Sequence, residues 1–249
     1  MLSLSYSTRL LLAVLLWLGL YVMGTNLAWW LRTEKPGKIG RVLKFCKNWS
    51  VRLYLGEALR VLFHLGPPYL VLLGGWASPA DLGLVGHDWI SGIGYAAGIG
   101  VGALALMIAV WGQRAHLLGR GDPTRKPMWV QQAQDGWLVL SDAILLEVGW
   151  AFCRAPFVIM AGGYWGPYVA LLTVALAGAL NAGTRAALDQ QGTREEIVLT
   201  ASVAVVSTTL YIFAQNLWLN IGVHLLLGLG VLGLQRRFDK NAPLAVSGQ

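Results

Sequence analysis

Long runs of apolar residues are the feature that most limits how this chain can fold. Several windows of about 20 residues carry almost no charge, which is the length that an α-helix needs to cross a hydrocarbon layer of about 30 Å. The first is RLLLAVLLWLGLYVMGTNLAWW. No alternating ten-residue pattern of barrel strands occurs. The sequence therefore predicts an all-α protein, a polytopic bundle of transmembrane helices.

Composition supports the same class of protein. Charged residues make up 12% of the chain and hydrophobic residues 56%, with a mean hydropathy of +0.57, whereas soluble domains carry roughly 25% charged residues. Tryptophan or tyrosine stands at many span ends, as expected where rings meet lipid headgroups. About seven spans are predicted: Leu10 to Trp30, Leu53 to Trp76, Trp89 to Trp111, Trp137 to Met160, Trp165 to Ala182, Ile197 to Ala214 and Leu217 to Leu234.

The second span is the least regular of the seven. Gly66, Pro67 and Pro68 are predicted to interrupt it, because proline removes a helical hydrogen bond. Charged residues occupy its first half, and His64 is interpreted as an interfacial histidine. The alternative is an interfacial helix that leads into a short or kinked span.

The distribution of Lys and Arg predicts the orientation. Of the 19 such residues, 17 fall in four segments that seven spans place on one side. Since basic residues favour the cytoplasmic side, the N-terminus is predicted outside and the C-terminus in the cytoplasm. The predicted location is a bacterial-type cytoplasmic (inner) membrane. A cleaved signal peptide is the alternative for the first span, but it would leave the basic segment outside.

The net charge of +7 is attributed to this cytoplasmic excess. The predicted partners of the protein are membrane lipids with anionic headgroups. No motif indicates that it binds a nucleic acid. Four parts of the chain are predicted: residues 1–36, the first span and its connection; 37–64, a basic amphipathic segment; 65–234, the main bundle; and 235–249, a cytoplasmic tail.

Two charged residues stand inside the fourth span, in LEVGWAFCRAPF. Glu147 and Arg154 are separated by two helical turns, so their side chains project from nearly the same face. A charge in the hydrocarbon region costs at least about 2.5 to 3.5 kcal/mol, so such residues usually face the bundle interior and are candidates for function. The alternative is that Arg154 snorkels to the outer interface and simply neutralises Glu147.

Polar residues recur in the last span, in QNLWLNIGVHLLLGLG. Asn216, Asn220 and His224 are spaced by four and share one helix face. Amide hydrogen bonds between helices account for the asparagines, and Asn181 of the fifth span is grouped with them as a polar cluster. The imidazole of His224 can ligate a metal, carry a proton or pair with Glu147. The prediction is an internal cluster in which His224 meets the charged pair.

The third span carries a stripe of small residues. Gly94, Gly98 and Gly102 are spaced by four, which lets another helix approach closely. Packing inside the bundle is the simplest interpretation, and self-association is the alternative.

These segments together resemble the CPBP family, the CAAX-protease and bacteriocin-processing intramembrane metalloproteases also called Abi proteins. The likeness covers roughly residues 65–234 and is carried by SPADLGLVGHDW, LEVGWAFCRAPF and NLWLNIGVHLLLG. In the family, a glutamate activates water and histidines are proposed metal ligands for cleavage of peptide bonds. The resemblance implies Glu147, Arg154 and His224 as candidate catalytic residues, and Glu147 and His224 as candidate ligands of a zinc ion.

The family motifs are degenerate in this chain. Arg154 matches the motif arginine, but Trp150 and Gly149 stand where the family has its two glutamates, and Gly228 replaces the closing Asn or Asp. The spans between contain no Phe-x-x-x-His. A hydrolytic zinc site needs three protein ligands, an open water position and a base, and the remaining candidates do not supply them all. Loss of metalloprotease activity is therefore predicted.

Three classes of function stay open. The favoured one is a pseudoenzyme that serves as a scaffold or accessory subunit by binding other integral membrane proteins or a larger membrane complex. The second is an active CPBP-like intramembrane endopeptidase, with Glu147 as general base and His224 as metal ligand. The third is a transporter or a cofactor-associated membrane subunit. Activity that depends on Glu147 separates the second class from the first.

Overall fold

The computed structural model describes residues 5–33, 52–118 and 136–241. Within these ranges every regular element is an α-helix and none is a strand, which confirms the predicted all-α class. Residues 37–51 of the basic segment and 242–249 of the tail lie outside the described residues. The helices are α1 (Tyr6–Thr33), α2 (Arg52–Leu73), α3 (Trp89–Leu118), α4 (Gly136–Leu180), α5 (Ala182–Leu188), α6 (Gln191–Ala214) and α7 (Leu217–Asn241).

Four helical segments are long and apolar enough to cross a membrane. They are Tyr6–Leu31, Trp89–Val110, Val139–Leu180 and Thr193–Ala214, and α7 contributes a shorter apolar helix, Leu217–Gly233. Many of their large apolar side chains face outward. Outward-facing apolar surface on helices of this length indicates a helical membrane protein.

The chain divides into two compact units. The first consists of Met1–Gly86 and Leu145–Asp189, and the second of His87–Ile144 and Gln190–Gln249. Helix α4 begins in the second unit and continues into the first. The four-part division of the sequence into a first span, a basic segment, a bundle and a tail stays a prediction.

In the first unit, α1 and α2 run antiparallel. Trp17 of α1 stacks on Phe63 of α2, with ring centroids 5.2 Å apart. Tyr6 at the start of α1 donates its hydroxyl hydrogen to Asp81, beyond the end of α2. Phe152 of α4 completes this core, since it is fully buried and its ring centroid lies 5.7 Å from that of Trp17.

Asp81 organises the loop that follows α2. Its carboxylate accepts hydrogen bonds from the backbone N–H and the hydroxyl of Ser78, both at 2.7 Å, as well as from Tyr6. Burial acts to raise the pKa of Asp81, but these hydrogen bonds outweigh it and hold the pKa below its ordinary value. The ionised carboxylate therefore ties the start of α1 to this loop.

Helix α2 continues through Pro67 and Pro68, so the predicted interruption at these residues is wrong. Proline at position 67 has no N–H to donate to the carbonyl oxygen of Phe63, one turn earlier. The indole Nε1 of Trp17 donates to that oxygen instead, at 2.9 Å. The helix keeps its course because a neighbouring helix supplies the missing donor.

We expect Trp17→Phe to lower the free energy of unfolding by about 1 to 3 kcal/mol, because the partly buried Phe63 carbonyl loses its donor while the ring stacking is largely kept. Pro67→Ala restores an intrahelical N–H, so Trp17→Phe should cost much less in that background. Thermal unfolding of the four proteins in mild detergent measures both costs. Equal costs in the two backgrounds would mean that the indole does not compensate for the proline.

Helix α4 consists of two helical parts joined at Gly162. This residue has φ 80° and ψ 167°, a backbone conformation that is essentially restricted to glycine. A Cβ atom on Gly166 would lie 2.5 Å from the carbonyl oxygen of Phe157, although nine residues of straight helix span about 13 Å. The chain therefore reverses direction at Gly162, between the fourth and fifth predicted spans.

In the second unit, α7 packs against α3 and α6. A Cβ on Gly92 would lie 2.8 Å from Leu219 Cδ1, and one on Gly100 would lie 3.2 Å from Val223 Cγ2. Because the two residue numbers rise together, α3 and α7 run parallel. A tight turn at Gln215, which has φ 47°, joins α6 to an antiparallel α7.

The predicted stripe of Gly94, Gly98 and Gly102 lies on another side of α3. All three glycines are exposed, and a Cβ at any of them would meet no atom of the described chain within 4 Å. Gly92 and Gly100, which are two turns apart, make the contact with α7 instead. For the described part of the chain, the predicted role of the stripe in internal packing is therefore wrong.

Candidate functional site

The charged pair of the fourth span forms a deeply buried ionic contact. Arg154 Nη2 lies 3.5 Å from Glu147 Oε2, and the two side chains are 3% and 0% exposed. Helix α4 creates this contact because residues seven apart stand on one face, two turns from each other. The structure thus brings together two members of the predicted cluster, Glu147 and Arg154.

The stretch of α4 that carries this pair is buried and rich in small residues. Ala151, Cys153 and Ala155 are buried within it. Gly149 lets α1 and α2 approach closely, since a Cβ there would lie 3.6 Å from the ring of Trp17 and 3.3 Å from His64 Cδ2. The ion pair therefore stands in a close-packed, buried setting, where a charge that loses its counter-ion is costly.

His64 of α2 makes contacts that sequence reasoning missed. Its predicted solvated or interfacial position stays a prediction. The side chain is partly buried, and its ring packs edge-on against those of Trp17 and Phe63, with centroids 6.4 and 5.6 Å apart. Its Nδ1 lies 2.9 Å from the carbonyl oxygen of Arg60, one turn back along α2. The sequence signal was its position one turn before Pro68, on the side of α2 that meets α1.

His224 belongs to the other unit. It lies on α7 with an intermediate exposure, whereas Glu147 and Arg154 lie in the part of α4 that belongs to the first unit. The predicted meeting of His224 with the charged pair therefore stays a prediction. Its proposed roles as metal ligand or proton carrier stay predictions with it.

Asn216 and Asn220 form a polar cluster at the turn between α6 and α7. Both are buried, with 0% and 1% of their surface exposed. Asn216 Oδ1 caps α7 by accepting the backbone N–H of Trp218 at 2.9 Å and of Leu219 at 3.3 Å. Asn220 Nδ2 donates to Ser207 of α6, to the carbonyl oxygen at 3.3 Å and to Oγ at 3.2 Å.

Asn181 has a different task in the first unit. It is the N-cap of α5, where its side-chain oxygen accepts the N–H groups of Gly183 and Thr184. Asn26 of α1, which sequence reasoning missed, accepts the N–H of Ala182 at 2.6 Å and fixes α1 to this junction. An Asn placed just before a short helix is a capping signal in its own right.

The chemistry open to the pair is limited by its surroundings. A general base must reach water or substrate within hydrogen-bond distance, but Glu147 has no exposed surface and points at Arg154. Within residues 5–33, 52–118 and 136–241, no three His, Cys, Asp or Glu side chains form a group that could hold a metal ion. The described residues thus supply no three-ligand set for zinc.

Comparison of the chain with protein-family models, with curated proteins and with solved structures finds no match. The likeness to the CPBP family accordingly rests on the three sequence segments quoted above.

Proposed function

We propose that this chain is a multi-pass membrane protein that binds other integral membrane proteins, as a scaffold or accessory subunit, without metalloprotease activity of its own. The observation that carries the proposal is the buried contact between Glu147 and Arg154. The carboxylate on which a protease would depend is withdrawn from solvent and directed at a guanidinium. That arrangement suits a structural role in fixing α4 more than it suits catalysis.

The proposed topology has seven passes, with the N-terminus outside and the C-terminus in the cytoplasm. One support is the reversal at Gly162, which divides the 42-residue apolar segment Val139–Leu180 into two lengths near 20 residues. Another is the parallel course of α3 and α7, as two odd-numbered passes require. The basic segments would then lie against anionic lipids of a bacterial-type inner membrane.

A CPBP-like bundle over residues 65–234, with degenerate motifs, is the proposed architecture. The buried Glu147 and Arg154 would be what remains of the family's first motif. A fold of this kind supplies long, closely packed helices, and binding through helix faces does not require the lost ligands.

The proposed contact for a partner helix is the exposed glycine side of α3. Gly94, Gly98 and Gly102 leave open space along about two turns of α3, and small residues let helix backbones approach closely in lipid. Val101, which is 61% exposed, stands beside them. A light-activated cross-linking residue in place of Val101 is expected to give an adduct of defined mass with a second membrane protein in native membranes.

Gly98→Ile should reduce the yield of that adduct about tenfold, because a bulky side chain separates the backbones and removes about 1.4 kcal/mol of association free energy. Gly24→Ile on α1 is the matched control, since Gly24 is also exposed with open space around it, and it should leave the yield unchanged. The proposal fails if Val101 gives no discrete adduct. It also fails if the purified protein cleaves a transmembrane peptide and Glu147→Gln abolishes the cleavage.

A further inference from the structure

Asn216 and Asn220, two buried residues at the turn between α6 and α7, each form hydrogen bonds through only one of their two side-chain amide atoms. Asn216 Oδ1 accepts the hydrogen bonds that cap α7, and Asn220 Nδ2 donates to Ser207. The other ends, Asn216 Nδ2 and Asn220 Oδ1, are buried atoms that have no hydrogen-bond partner anywhere in the described part of the chain. Buried amide groups are seldom left in this state, because each has lost its hydration.

The polarity of the two open ends is fixed by the bonds already made. Exchanging N and O in Asn216 would set an NH₂ group against two backbone N–H groups. The same exchange in Asn220 would set its oxygen against the carbonyl oxygen of Ser207. Asn216 therefore offers a donor, and Asn220 offers an acceptor.

The donor and the acceptor stand next to each other. The N–H of Asn220 donates to the carbonyl oxygen of Asn216 at 3.2 Å, so the two residues are one helical turn apart. Asn216 precedes the first residue of α7, and Asn220 lies in the first turn of that helix. Both open ends therefore belong to the same turn of backbone at the start of α7.

We infer that one water molecule bridges Asn216 and Asn220. Its oxygen accepts a hydrogen from Asn216 Nδ2, and one of its hydrogens is donated to Asn220 Oδ1. A cation would be repelled by the donor of Asn216, and an anion by the acceptor of Asn220. A larger neutral amide would need an opening at residues that are 0% and 1% exposed.

This water is a structural component of the hairpin formed by α6 and α7. It links the cap of α7, through Asn220, to the hydroxyl and carbonyl of Ser207 on α6. The water thereby adds to the polar contacts that join α7 to α6. The inference does not depend on the proposed partner binding.

Solid-state NMR of the ¹⁵N-labelled protein in lipid bilayers tests it, by transfer of polarisation from water to side-chain amides. The signal of Asn216, identified as the one lost in Asn216→Asp, should build up as early as that of the exposed Gln190. Asp at this position keeps the cap. The backbone amides of Leu210 and Leu227, both 0% exposed, serve as dry controls.

Asn220→Leu removes the acceptor and should abolish the early signal of Asn216. If Asn216 in the unaltered protein builds up no faster than Leu227, the water is absent and the inference is overturned. If its early signal persists in Asn220→Leu, a water is present but does not bridge the two residues, and the inference is likewise wrong. The comparison of Asn216 with Leu227 is made on the unaltered protein, so it does not require the Asn220→Leu variant to fold.

Discussion

Glu147→Leu is expected to lower the free energy of unfolding by about 3 to 5 kcal/mol, because it leaves the guanidinium of Arg154 buried without its counter-ion. Arg154→Met should cost less. A guanidinium carries five N–H donors that need acceptors, whereas a carboxylate has two oxygen atoms, so the buried guanidinium is the harder group to satisfy once its partner is removed. The two side chains are 0% and 3% exposed, so neither reaches water without moving the helix.

The double variant Glu147→Leu with Arg154→Met is the decisive control. It removes both charges and keeps the volume, so its stability should lie within about 1 kcal/mol of the wild type. Reversible unfolding in mixed detergent micelles, carried out on all four proteins, gives the coupling energy of the pair. If the single costs are below about 1 kcal/mol and simply add, then Arg154 snorkels to the interface, and the buried contact is not a structural element.

The charged pair could be predicted from the sequence because its cause is local. Helical periodicity alone puts residues 147 and 154 on one face, and the cost of a charge in lipid turns that face inward. The helical class followed in the same way from the length of the apolar runs. His224 is a different case, because its distance from Glu147 depends on how two separately packed units are arranged, and no local pattern in either segment encodes that.

The wrong predictions, for the glycine stripe and for Pro67, concern features that are decided by tertiary contacts. Gly94, Gly98 and Gly102 have a four-residue spacing, and so do Gly92, Ala96 and Gly100, so spacing could not tell which set meets α7. Pro67 predicts an interruption because it lacks an N–H, and the sequence does not show that the indole of Trp17 supplies the donor instead. Asn181 is not among these errors: it caps α5, and its grouping with Asn216 and Asn220 stays a prediction.

Because the chain reverses direction within α4, we expect a second large loss of stability when Gly166 is replaced. A Cβ there would lie 2.5 Å from both the carbonyl oxygen of Phe157 and the Cα of Val158. Both obstacles are backbone atoms of the preceding helix, so no side-chain rotation relieves the clash. Gly166→Ala is expected to destabilise the protein by about 3 kcal/mol, at the upper end of the cost of overpacking, as measured by thermal unfolding in detergent.

Gly178→Ala, in the same part of α4, should have the opposite sign. A Cβ at Gly178 meets open space among the described residues, so alanine there gains about 0.5 to 1 kcal/mol from its better helix propensity. The contrast matters for topology, because the clash at Gly166 exists only if the chain turns back at Gly162. If Gly166→Ala proved as stable as Gly178→Ala, the two halves of α4 would not lie side by side. The 42-residue apolar segment would then no longer support two passes, and the C-terminus would move to the opposite side of the membrane from the one proposed.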